Sequence, residues 1–186
     1  MYFDLTGPEL TGKSAEIAVN AAVAKNISHI VAASNTGDTI FAILKEKEKQ
    51  GYKGKIICVP HVYGFRENGK NELSDENRKK LEDQGVGICI AAHALSGGER
   101  SLSRKFQGVY PVEMIAHTLR MFGQGTKVCV EIGAMALDAG HIPWGEPIIA
   151  MGGTGRGADT AILLTPSYTH GILETKIHEI LCKPRL

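Results

Sequence analysis

Two histidines leave apolar runs in the same way. Pro60-His61-Val62-Tyr63-Gly64-Phe65 follows the run at 55–59, and Ala92-His93-Ala94-Leu95-Ser96-Gly97-Gly98 follows the run at 87–91. Imidazole takes up and releases protons near neutrality. Two at equivalent positions beside glycines are therefore candidates to touch a ligand, although either alone reads as a loop histidine bonded to backbone. The next stretch, Ser96-Gly97-Gly98-Glu99-Arg100-Ser101-Leu102-Ser103-Arg104-Lys105, concentrates positive charge among serines and glycines. Guanidinium forks and hydroxyls suit a phosphate, while the plainer alternative is a solvated loop with an internal Glu99–arginine pair.

Two further segments have oxyanion-binding character. Ser34-Asn35-Thr36-Gly37-Asp38-Thr39 follows the run at 29–33 and opens a helical pattern. Hydroxyls, backbone N–H groups and the positive end of a helix dipole converge in such a turn; the alternative is a plain cap by Asp38 or Thr36. Gly152-Gly153-Thr154-Gly155-Arg156-Gly157-Ala158-Asp159 is rich in glycine, allows close backbone approach, and carries an arginine. Gly153, Gly155 and Ala158 also satisfy the dinucleotide fingerprint G-x-G-x-x-[GA]. Residues 159–164 that follow read as a strand rather than a helix, so a glycine-rich ligand loop is expected instead.

Gly7-Pro8-Glu9-Leu10-Thr11-Gly12-Lys13-Ser14 satisfies the phosphate-loop pattern, and makes a nucleotide hydrolase using Lys13 and Ser14 a rival reading. Against it, the preceding strand would start almost at residue 1, and no apolar strand ends in an aspartate for Mg²⁺. The rival is a loop entering a helix capped by Thr11. The seven histidines form no HExxH and lie near no cysteine pair, so no metal is expected. Glu131 is read as the end of a strand, either a site carboxylate or the cap of a short helix at 132–138. No G-x-S-x-G elbow is present.

These residues need a frame. Apolar runs at 29–33, 55–59, 87–91 and 127–130 have the continuous character of strands covered on both faces. Segments 11–26, 39–50, 74–84 and 111–122 carry helical periodicity. Ser74 is placed as an N-cap, and Gly51, Gly85 and Gly123 as C-terminal stops. Strand and helix in alternation imply a three-layer α/β/α domain with a mostly parallel sheet. The runs at 147–151, 161–164 and 177–181 are too closely spaced for helical crossovers and are read as strands, some antiparallel, finishing one edge. Ligands in such sheets bind beyond the carboxyl ends of the strands, where the histidines and glycine loops fall.

The 186 residues are expected to form one domain, 1–186. Lys plus Arg number 21 against 20 Asp plus Glu, a balance that argues against coating nucleic acid or membrane. Cys58, Cys89, Cys129 and Cys182 each sit alone in an apolar run, as buried reduced thiols do. That placement, with no secretory start and no long apolar run, predicts a cytoplasmic protein.

The chain resembles the pyruvate kinase C-terminal-domain-like family, specifically its stand-alone prokaryotic members of unassigned function. The likeness covers nearly the whole chain. It rests on Ala33-Ser34 through Gly37-Asp38-Thr39, on Leu95-Ser96 with Glu99-Arg100-Ser101 and Ser103-Arg104-Lys105, on residues 127–132, and on Arg156-Gly157-Ala158-Asp159-Thr160-Ala161. The resemblance implies core strand order 3-2-1-4-5 with extra edge strands, and bound FMN. By position, residues 34–39 would take the FMN phosphate. The loops carrying His61, Gly64, Phe65, His93 and Ser96, with residues 152–159, would surround its chain and ring. Arg100, Arg104 and Arg156 would anchor the phosphate or an acidic substrate, and His61, His93 or Arg156 would act in catalysis. The function so implied is FMN binding, compatible with a flavin-dependent oxidoreductase; the alternative is a non-catalytic sensor or carrier of a phosphorylated ligand. Kinase activity is not implied, because a pyruvate kinase's catalytic residues lie in other domains. The expected partners are a small phosphorylated ligand and further copies of the chain.

Overall fold

Alternation of dry faces along each strand sets the architecture. In a computed structural model describing residues 1–185, β2 (His29–Ala33) sends Ile30 and Ala32 to one face of the sheet and Val31 to the other, all of them fully buried. The same division occurs in β3 (Lys55–Val59), with Ile56 and Cys58 opposite Ile57 and Val59, and in β5 (Ile148–Gly152), with Ile149 and Met151 opposite Ile148 and Ala150. Neither face meets water, so both must be roofed by helices.

On the first face lie α1 (Thr11–Ala24), α2 (Asp38–Gln50) and α3 (Asp75–Glu82), which contribute Val19, Ile40, Ile43 and Leu81. The second is covered by α6 (Gln124–Asp138), backed by α5 (Pro111–Arg120). The short helix α4 (Glu99–Phe106), just before α5 in the chain, buries none of its residues.

The remaining strands are β1 (Tyr2–Phe3), β4 (Gly87–Ile88), β6 (Thr160–Thr165) and β7 (Lys176–Pro184), and the sheet order is β1-β7-β6-β5-β2-β3-β4. Counted from β2, the core runs 3-2-1-4-5. Strands β4, β3, β2 and β5 are parallel, β6 and β7 are each antiparallel to the neighbour before, and β1 lies parallel to β7 at the far edge.

The structure corrects several expectations. Residues 127–130 are not a strand but the interior of α6, and Glu131 lies in the middle of that helix rather than at a strand end or a cap. Nearly every residue from Gly125 to Leu137 is buried, so no polar stripe marks the helical period. The strand expected at 87–91 shortens to Gly87–Ile88. Segment 99–106 is a helix, not a solvated loop, and Glu99 pairs with no arginine; its carboxylate accepts the Val112 and Glu113 N–H groups at the start of α5. Gly37, at φ 99°, is the N-cap of α2 in place of Thr36 or Asp38, and Thr11 does not cap α1.

Other local readings hold. Ser74 Oγ accepts the Asn77 N–H at 3.2 Å, and Gly51 closes α2 at φ 67°. All four cysteines are free and buried, and burial raises the thiols of Cys58 to about 12 and Cys89 to about 11, out of reach of thiolate chemistry. Among the described residues no helix is long and apolar enough to cross a membrane.

Candidate functional site

The parallel strands end together, so the loops after β3 and β4 face each other across α4. They enclose a cleft of about 350 Å³ lined by Tyr63, Phe65, Arg66, His93, Arg100 and Arg104, with Gly64 and Ser96 in its walls. His61 packs against Phe65 with ring centroids 3.8 Å apart and planes tilted by 30°, and the His93 ring lies 5.1 Å from Phe65 and 5.3 Å from His61. The Arg100 guanidinium sits 6.0 Å above the Phe65 ring, within cation–π range. Phe65 remains 37% exposed, which leaves this platform open to a flat molecule.

His61 is held on both sides. Its Nδ1 meets Glu72 Oε2 at 2.5 Å, its Nε2 lies 3.3 Å from Asn35 Nδ2, and its backbone N–H donates to Asn35 Oδ1 at 3.1 Å. Gripped by the carboxylate on one side and the amide on the other, the ring is fixed in orientation. Arg66 Nε lies 3.6 Å from Glu72 Oε1, so one carboxylate anchors both a histidine and an arginine of the loop. Burial lowers the pKa of His93, as do the charges of His61, Lys127 and Arg100, while Glu131 opposes the shift. A neutral imidazole near pH 7 follows, able to donate or accept a hydrogen bond.

Behind the His93 turn two charged side chains are buried. Lys127 and Glu131 are each 5% exposed and bond to one another across one turn of α6. The second Glu131 oxygen accepts the Leu95 N–H at 2.9 Å. Burial pulls Lys127 below the usual amine range and Glu131 resists. A pair this deep costs several kcal/mol per ion in lost hydration unless paired and hydrogen-bonded, as here.

The turn at 34–39 reaches His61 through Asn35, and its Ser34 and Thr36 hydroxyls are engaged within the turn. Ser34 Oγ accepts the Thr39 N–H at 3.2 Å, and Thr36 donates to the Asp38 carboxylate at 2.7 Å. Gly37 is packed against Phe41, Leu73 and Leu81. Two of the donors expected to grip an anion, the Thr39 N–H and the Thr36 hydroxyl, are thus spent within the turn, and Asp38 adds a negative charge beside them.

A model of the pyruvate kinase alpha/beta domain family matches residues 13–164. The chain belongs to that family. Among solved structures it is similar to a pyruvate kinase from Cryptosporidium parvum, with 17% identity over 84% of this chain and 23% of that one, at a TM-score of 0.43. It is also similar to the Cryptosporidium parvum enzyme in complex with ADP, with 18% identity over 83% of this chain and 23% of that one, at a TM-score of 0.40. The chain therefore spans less than a quarter of the length of these pyruvate kinases.

Within this alpha/beta domain the loop after β5 has a different employment. Asp159 is fully buried, and its carboxylate accepts N–H groups from Gly7 and Thr154 and the Thr160 hydroxyl. Ala158 N–H donates to Thr11 Oγ1 at 3.0 Å. Gly152 ends β5 in contact with α6, Gly153 and Gly157 close the loop on itself, and Gly155 sits at its tip with φ 82°. Thr154 and Arg156 are exposed, and neither lines the arginine cleft. The same contacts dispose of the phosphate-loop geometry. Gly7 spends its amide on Asp159, Lys13 pairs with Glu16 at 2.9 Å on the surface, and the strand before them is the sheet's far edge.

Sequence patterns placed His61, His93, Arg100 and Arg104 near one another and missed Arg66, Glu72 and Lys127. Glu72 and Arg66 carry no spacing signal. Lys127 and Glu131 do, as an i,i+4 pair, once the segment is read as a helix.

Proposed function

We propose that this domain binds a phosphorylated aromatic cofactor, FMN, in the cleft between the loop after β3 and α4. The observation that carries the reading is the coincidence in one cleft of two aromatic rings, Phe65 and His93, backed by His61, with three guanidinium groups, Arg66, Arg100 and Arg104. Aromatic faces favour an offset planar ring, and arginine forks favour phosphate oxygens. The residues present fit the group. Phe65 and His61 would stack against the isoalloxazine, and Arg100 with Arg104 would hold the phosphate in preference to the turn at 34–39. Bound FMN supplies one- and two-electron redox chemistry. The chain's own part is to orient the ring against the His61–Phe65 pair, held by Glu72 and Asn35, and to offer a neutral His93 as a hydrogen-bonding partner at the cleft.

The deciding experiment is the absorbance spectrum of freshly purified protein before and after desalting. A retained flavin band, or one acquired by incubation with FMN, supports the reading; a protein that takes up no FMN overturns it. Reduction of that band by NAD(P)H would make the domain an oxidoreductase, whereas a flavin inert to every donor would make it a carrier. Self-association is proposed for the surface of α4 and α5, where Phe106, Val109, Met114 and Met121 are 56–81% exposed. Light scattering of a Phe106→Glu, Met114→Glu variant checks it, with a smaller particle expected than for the unaltered chain.

A further inference from the structure

Nothing in the proposed binding reading uses the pair buried behind the cleft, yet its geometry reaches the cleft wall. Glu131 takes the Leu95 N–H with one oxygen and Lys127 with the other, inside α6. Leu95 lies between His93 and Ser96, and both of these line the cleft. The turn itself is tight: Ser96 and Gly97 donate their N–H groups to the His93 carbonyl at 3.2 and 2.8 Å, and a Cβ on Gly97 would lie 2.9 Å from that oxygen. A turn wound on the His93 carbonyl and tied at Leu95 has little freedom to move except with α6.

We infer that Glu131 is a positioning residue for the cleft: its carboxylate ties the His93–Gly97 turn to α6 and, neutralised by Lys127, fixes a buried negative charge behind the His93 ring. This rests on the ligand reading above for its consequence, though not for its geometry. The charges acting on His93 come from every neighbouring element: Glu131 and Lys127 from α6, His61 from the loop after β3, and Arg100 from α4. Arg120 of α5 acts on Lys127. Glu131 is the one negative member of that set, so it sustains the proton affinity of His93 against burial and the positive charges of Lys127 and Arg100.

The test measures the turn and the ligand separately. In ligand-free protein, the His93 Cε1–H resonance is followed from about pH 4 to 8 for wild type and Glu131→Gln. Glutamine still accepts the Leu95 N–H with its amide oxygen, while the carboxylate charge is removed. The fold should therefore survive, while the His93 midpoint drops by about half a pH unit or more. An unchanged midpoint overturns the proposal. Should E131Q not fold, the double variant K127M/E131L leaves no buried charge and no tie. In it the amides of residues 93–97 should exchange faster relative to those of β2, and FMN affinity at pH 8 should fall about tenfold. Exchange and affinity both at wild-type level would overturn the proposal. A wild type that binds no FMN but shows the midpoint shift in E131Q refutes the ligand assignment alone and leaves the positioning role standing.

Discussion

The loop after β5 and the loops after β3 and β4 leave the same edge of one sheet, and both combine glycines with arginine. After β5 the polar groups face inward: the Asp159 carboxylate satisfies Gly7, Thr154 and Thr160, and Gly157, at φ +77°, has the Pro8 Cα 2.4 Å from where a Cβ would stand. After β3 and β4 they face outward, with three arginines and an exposed phenylalanine around a 350 Å³ cleft. Glycine content and position at the carboxyl edge do not distinguish these cases. What does is whether the nearby donors already have partners.

That contrast yields its largest effect at the packed loop. Asp159→Ala strands two buried donors, the Gly7 N–H and the Thr160 hydroxyl, and frees the Thr154 N–H, and urea denaturation should show a loss of about 3 kcal/mol or more. FMN affinity of the folded fraction should hardly change, and a large loss of affinity would return this loop to the binding site. Next, Arg100→Ala with Arg104→Ala should weaken FMN about 10- to 100-fold by fluorescence quenching, while the urea midpoint stays nearly fixed because both side chains reach solvent. A milder loss, about three- to tenfold, is expected for Phe65→Ala, with riboflavin affected as much as FMN. Smallest of all, Thr36→Val with Thr39→Val should alter FMN affinity less than about threefold. A tenfold fall there would move the phosphate from the arginines back to the opening of α2.

Much of the frame was legible because local and global preferences agree in it. The runs at 29–33 and 55–59 are apolar on both faces and fold as β2 and β3 with those limits, and Ser74 caps α3 as its hydroxyl predicts. Residues 127–130 misled for a physical reason. Val128, Cys129 and Val130 are good strand formers, and in a helix buried on nearly all sides no solvent-facing stripe contradicts that preference. The site was partly readable, since His61 and His93 follow strands and Arg100 with Arg104 share one short helix. The Glu72 clamp and the Leu95–Glu131 tie are through-space pairings that no spacing encodes.

The parallel pairing of β1 with β7 sets Tyr2 beside Lys183 and Phe3 beside Pro184, with the Lys183 N–H on the Met1 carbonyl. Head and tail of the chain are thus seamed together at the sheet edge most distant from β4. Peeling β1 away would bare the backbone groups of β7 as a fresh edge, so this two-residue strand shields that side of the sheet from pairing with a foreign strand.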